Sequence, residues 1–135
     1  MANKKKSGPY RRHGFQRPRR TWRTKFADAF LGMGQSLYQQ NSFQVHFLAA
    51  VAVLLLGWYL GRFDTVRWCL LVLCIVMVVG GEMLNTSIET LARAITSEYD
   101  PLIGRALNIA SGAILVLSFG AAVVGVILFW EAVLT

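Results

Sequence analysis

The sequence predicts an all-α membrane protein: an N-terminal amphipathic surface helix followed by three transmembrane helices. Three observations carry that expectation. Apolar residues make up 55% of the 135 residues and charged residues 16%, a poor composition for a soluble globular domain. Three apolar segments each approach the roughly 20 residues that cross a hydrocarbon core. The positive charge is gathered at one end. Ten of the fourteen Lys and Arg lie from Lys4 to Lys25 with no acidic residue among them, and the chain from Phe26 onward carries four basic and seven acidic residues.

The first 20 residues, MANKKKSGPYRRHGFQRPRR, combine two prolines, two glycines and dense like charge. Such a segment cannot bury a core, and residues 1–21 read as a disordered basic arm ahead of a membrane domain at 22–135. No apolar stretch follows the charges as in a secretory signal, so the arm is expected to stay in the mature protein. Its expected partner is the anionic lipid of a cytoplasmic leaflet rather than nucleic acid, because the next element is membrane-bound. Each Lys or Arg near such a surface contributes about 1 kcal/mol.

Residues 22–40 follow as the surface helix. Trp22, Phe26, Phe30, Met33 and Leu37 fall on one helical stripe, with Arg23, Lys25, Asp28 and Gln35 on the other side. A helix of this kind beside a basic arm lies in the membrane interface, packs on the rest of the domain, or does both.

The spans are expected at about 43–61, 68–95 and 107–130. The first admits Gln44 and His46 near its start. The second begins at Trp68 and runs helically past a polar face to about Ile95. The third is interrupted only by Ser111 and Ser118 between Ile109 and Trp130. Trp58, Tyr59, Trp68 and Trp130 stand at segment ends, where aromatic belts form. The positive arm places the N-terminus in the cytoplasm. The 61–67 turn and the C-terminus are then outside, and the 96–105 connection is inside. Cys69 and Cys74 point about 140° apart on a helix and cannot pair; they read as small apolar packing residues.

The stretch GEMLNTSIET, residues 81–90, breaks the apolar pattern. Glu82, Asn85, Thr86 and Glu89 stand at i, i+3, i+4 and i+7, which is one face of a helix, and Arg93 extends it. A charged group at bilayer depth costs several kcal/mol unless it is paired or faces a cavity, so the face marks a functional surface at the cytoplasmic end of the second span. The structural alternative is an ion pair between Glu89 and Arg93 with Asn85 and Thr86 as interhelical glue. It accounts for Glu89 but not for the deeper Glu82. The chain has no Walker A loop and no GxGxxG fingerprint.

The pattern E-x-x-N-[ST]-x-x-E on the second span, then S-E-Y and a G-R-A connection into a small-residue third span, resembles the prokaryotic diacylglycerol kinase and undecaprenol kinase family. The likeness covers about Phe26 to Ile127. It implies a homotrimeric enzyme of the bacterial inner membrane that phosphorylates a lipid hydroxyl from ATP and Mg2+, with each active site built between neighbouring subunits. Carried over by position, Glu82 matches the catalytic base and contacts the lipid alcohol. Asn85 and Glu89 match cofactor-binding residues, Glu89 as a magnesium carboxylate. Glu98 and Tyr99 match a nucleotide-contacting connection, and Ser111 falls at a substrate position. Gln40 stands where a second metal carboxylate is expected, Gln44 where an Arg is expected, Leu107-Asn108 where a Lys-Asp pair meets the nucleotide, and Asp28 where a nucleotide-contacting Tyr is expected.

The expected activity is therefore ATP-dependent phosphorylation of diacylglycerol or undecaprenol. The alternatives are a catalytically weakened homologue acting as a structural or regulatory membrane subunit, and a lipid-headgroup enzyme that uses another phosphoryl donor.

Overall fold

The structure, a computed structural model, describes residues 21–134, so the arm at 1–20 lies outside the described residues. Four helices follow one another: α1 Trp22–Gln39, α2 Asn41–Leu60, α3 Thr65–Ile95 and α4 Pro101–Leu134. Thr21, read from sequence as part of the arm, belongs to the fold. Its hydroxyl accepts from the Thr24 backbone N–H and caps α1.

Among the described residues, α2, α3 and α4 are long and apolar enough to cross a membrane. At 1.5 Å per residue, α3 and α4 reach about 46 and 51 Å, well beyond the roughly 30 Å of hydrocarbon. Both must project from the bilayer. The helix starts explain why they outrun the segments expected from sequence. Asp64 accepts from the Arg67 N–H at 2.8 Å and starts α3 at Thr65, inside the expected 61–67 turn. Asp100 accepts from the N–H groups of Leu102 and Ile103 at 2.8 and 3.1 Å, with Pro101 at the first helical position. The expected 96–105 connection thereby shortens to 96–100, and the third helix gains an extension before Leu107.

Helix α2 ends at Gly61, whose φ of +63° is the left-handed cap that glycine adopts at no steric cost. Between α1 and α2 a single residue, Gln40, is extended and turns the chain. Gln44 reaches back to the Leu37 carbonyl at 3.1 Å, satisfying an orphan acceptor at the end of α1.

Helices α3 and α4 form the main packed pair. Leu71, Val78 and Glu82 are buried on α3, and Ile114, Leu128 and Ala132 on α4. Side chains of α4 fill the space beside Gly81: a Cβ there would lie 2.6 Å from Leu117 Cδ1 and 3.0 Å from Ile114 Cδ1. At the far end, Phe63 stacks against Trp68 and Phe129 with ring centroids 5.4 and 5.0 Å apart, and Arg67 pairs with Glu131 at 3.7 Å. Trp68 thus packs inward, within 3.2 Å of a Cβ placed on Gly57, instead of serving only as a belt residue. Trp58, Tyr59 and Trp130 are exposed as a belt requires. Both cysteines are free.

The stripe on α1 does not pack on the bundle. Trp22, Phe26, Phe30 and Met33 are exposed, and Lys25 Nζ sits 4.5 Å above the Trp22 ring. Ser36 is buried and Gly32, Gly34 and Leu37 are half-buried, toward the junction with α2.

Candidate functional site

The polar face of α3 is built by spacing alone, because i, i+3, i+4 and i+7 return to one side of the helix. Its two carboxylates lie two turns apart, about 10 Å along the axis. Measured from the ring cluster at Trp68, Glu82 is about 21 Å up the helix and Glu89 about 32 Å, so Glu82 falls inside the hydrocarbon slab and Glu89 at its edge.

Glu82 is 2% exposed. Its Oε1 accepts a hydrogen bond from Ser42 Oγ in the first turn of α2, and its backbone carbonyl accepts from Thr86 Oγ1 at 2.9 Å. A buried carboxyl held by one hydroxyl keeps acceptor capacity in reserve.

Glu89 is held from three directions. Asn85 Nδ2 donates to Oε1 at 2.9 Å, Gln40 Nε2 donates to Oε2 at 2.9 Å, and Arg93 Nη2 lies 3.5 Å from Oε2. Asn85 thus sets the Glu89 rotamer from its own helix, and Gln40 does so from the α1–α2 corner, 49 residues away in sequence. The amide oxygen of Asn85, Oδ1, is buried and has no hydrogen-bond partner among the described residues.

Beyond Glu89 the projecting ends of α3 and α4 enclose an open cavity of about 490 Å³, within the roughly 300–1,000 Å³ typical of small-molecule sites. Glu89, Arg93, Glu98, Tyr99, Gly104 and Leu107 line it. The loop is fixed by Thr96, whose Oγ1 accepts from the Glu98 N–H at 3.0 Å. Tyr99 rests on Gly104, where an added Cβ would lie 3.4 Å from its ring.

The structure therefore brings Gln40, Asn85, Glu89, Glu98 and Tyr99 to one end of the molecule, with Glu82 below them. Asn108 and Ser111 are exposed on α4 and do not line the cavity; Leu107, one residue earlier, does. Asp28 and Gln44 also lie outside it. Ser42 was not legible in the sequence, because a serine on an exposed helix start carries no sign of a partner 40 residues on.

Among the described residues no three His, Cys, Asp or Glu side chains cluster closely enough to form a metal cage. Magnesium does not need one; it commonly takes one or two carboxylates and completes its shell with water and phosphate oxygens. The Glu89 carboxylate and the unpartnered Asn85 Oδ1 are hard oxygen groups on adjacent turns of α3, and they fit that ion.

Fold and site together define a small polytopic membrane protein that buries one carboxylate at lipid depth and sets a second beside an open cavity at the bilayer edge. The prokaryotic diacylglycerol kinase family matches residues 27–129 of the chain. An undecaprenol kinase of Bacillus subtilis (strain 168) is 30% identical over 109 residues, which cover 78% of this chain and 88% of that one. The chain belongs to the prokaryotic diacylglycerol kinase family, a family of membrane lipid kinases.

Proposed function

We propose that the protein transfers the γ-phosphoryl group of ATP to the hydroxyl of a membrane lipid alcohol, undecaprenol or diacylglycerol, at the cytoplasmic face of the bacterial inner membrane. The observation that carries this reading is the two-level arrangement of the carboxylates: Glu82 is buried, 2% exposed, while Glu89 opens on a cavity two turns further on. A lipid hydroxyl arrives from the bilayer and a nucleotide from water, and the face of α3 spans the gap between them.

In this reading Glu82 accepts the hydroxyl proton as the lipid oxygen bonds to the γ-phosphorus. The bond to the β–γ bridging oxygen breaks, and ADP leaves. Ser42 holds Glu82 in place. Glu89, fixed by Asn85 and Gln40, would hold the metal ion. Magnesium, when bound, neutralises charge on the phosphate oxygens. Tyr99 and Glu98 meet the nucleoside. Asn108 and Ser111, exposed on α4, join the site from a neighbouring copy in a homotrimer. Only 11–17% of each apolar window is buried within one chain, which leaves ample surface for such contacts. The basic arm and the exposed stripe of α1 hold the N-terminus on anionic lipid.

A second reading has one specific observation in its favour. Gln40 donates to Glu89 where the family resemblance places a carboxylate. A weakened homologue that keeps the architecture as a membrane subunit would show this.

The test is a phosphoryl-transfer assay with γ-labelled ATP, magnesium, and undecaprenol and diacylglycerol side by side, with Glu82→Gln as control. Label in either lipid that is lost in Glu82→Gln supports the kinase. No label in either lipid contradicts it and leaves the subunit reading.

A further inference from the structure

His46 is the deepest polar side chain of α2; from Phe47 to Gly57 no polar side chain follows it. Its depth can be read from the packing. Gly57 meets Trp68 at one end of the helix, and Ser42 bonds to Glu82 at the other, so α2 and α3 run antiparallel on a common scale. On that scale His46 stands about 16 Å from the Trp68 level and about 6 Å deeper than Ser42, inside the hydrocarbon slab.

His46 is half-buried, and among the described residues it makes no hydrogen bond and no ion pair. A polar group at bilayer depth without a partner costs free energy, and an ionisable one there marks a functional site by default. No group of His, Cys, Asp or Glu among the described residues offers it a metal. It follows Ser42 at i+4, a spacing that puts Cβ atoms about 5–6 Å apart on one helix face. The unpartnered imidazole thus lies one turn below the hydroxyl that engages buried Glu82. A membrane alcohol has the complementary need. Away from water its hydroxyl lacks both a donor and an acceptor, and a neutral imidazole offers one of each on its two ring nitrogens. An alcohol that approaches Glu82 along α2 from the bilayer interior passes His46 first.

We infer that His46 binds the hydroxyl of the lipid alcohol and holds it one turn below the Ser42–Glu82 contact. The inference rests on the kinase reading above, in which the substrate is a lipid alcohol. His46 transfers no proton in this role; it brings the hydroxyl to Glu82.

The experiment uses the full-length protein in lipid nanodiscs, with isotope-labelled histidine whose ring nitrogens are observed by solid-state NMR. His13 of the arm is the other histidine, so a His13→Gln background leaves one imidazole to report. Dioleoylglycerol and undecaprenol are the probes, and squalene, a hydrocarbon without oxygen, is the control. The imidazole resonances should move with at least one alcohol and stay in place with squalene. In turnover assays His46→Leu should raise the KM for that alcohol about 10-fold, the worth of one hydrogen bond, with the KM for MgATP changed less than about 2-fold. His46→Gln, which keeps a donor and an acceptor, should fall between. Resonances that neither alcohol moves would overturn the inference, whether the imidazole starts free or already bonded to a neighbouring copy. Equal changes in both KM values for His46→Leu would overturn it too. A parent that phosphorylates neither lipid overturns the kinase reading, whereas a parent that phosphorylates one while its imidazole stays unmoved overturns this inference alone.

Discussion

Glu82 and Glu89 occupy one helix face and live in different surroundings, and the difference dictates how each should fail. Glu82 is enclosed and touches one hydroxyl; Glu89 faces a cavity and receives three donors. Ser42→Ala removes the hydroxyl that positions Glu82. It should lower turnover about 10-fold, the worth of a hydrogen bond of about 1.4 kcal/mol, and leave nucleotide affinity unchanged. Steady-state kinetics at saturating lipid, together with a binding titration, checks this. At this scale the sequence exposes what is local and hides what is not. The shared face of Glu82, Asn85, Thr86 and Glu89 follows from the helical period. The contacts from Ser42 and Gln40 join residues 40 and 49 positions apart, and nothing nearby in sequence announces them. Asn108 shows a second limit: a shift of one residue is a turn of about 100° on a helix, so Leu107 faces the cavity and Asn108 does not.

Among the helices, α3 and α4 pack as the main pair beside the carboxylate face. Gly81, one residue before Glu82, leaves room for the Leu117 and Ile114 side chains of α4. Gly81→Ala would press a methyl group onto the side-chain ends of Leu117 and Ile114, which must leave their packed positions to admit it. We expect a loss of about 1–3 kcal/mol in stability, seen as a lower unfolding temperature in detergent, with reduced activity in the folded fraction. Ala substitution at Gly112, where an added Cβ meets nothing within 4 Å, should leave stability unchanged and serves as the control. The spans were legible because apolar runs of this length have few other uses. Their ends were less so. The Asp-Pro pair at 100–101 was read within a connection, yet a capping carboxylate followed by proline is how a helix begins, and α4 starts there. The extra turns it adds before Leu107 build one wall of the cavity.

For the whole molecule, the projecting end of α3 and α4 must face the cytoplasm if ATP is to reach it. In a background free of Cys69 and Cys74, Ser97→Cys should react with an impermeant thiol reagent only from the cytoplasmic side, and Arg62→Cys only from outside. The reverse pattern would put the cavity on the wrong side for nucleotide. The basic arm belongs to the same scale. Deleting residues 2–20 should weaken binding to anionic bilayers and leave turnover in neutral micelles within about 2-fold, because eight of its residues are Lys or Arg and none belongs to the site. Loss of turnover in neutral micelles would make the arm part of the active site.

The proposed kinase reaction needs MgATP at Glu89 and a lipid hydroxyl activated by Glu82. Calorimetric titration of MgATP into the parent, Glu82→Gln and Glu89→Gln proteins in micelles, paired with turnover, tests it most directly. The parent should bind. Glu82→Gln should bind as well as the parent with turnover down about 100-fold or more, and Glu89→Gln should bind weakly with a defect that shrinks as magnesium rises. A flat titration of the parent, or no contrast between the two variants, would contradict the account.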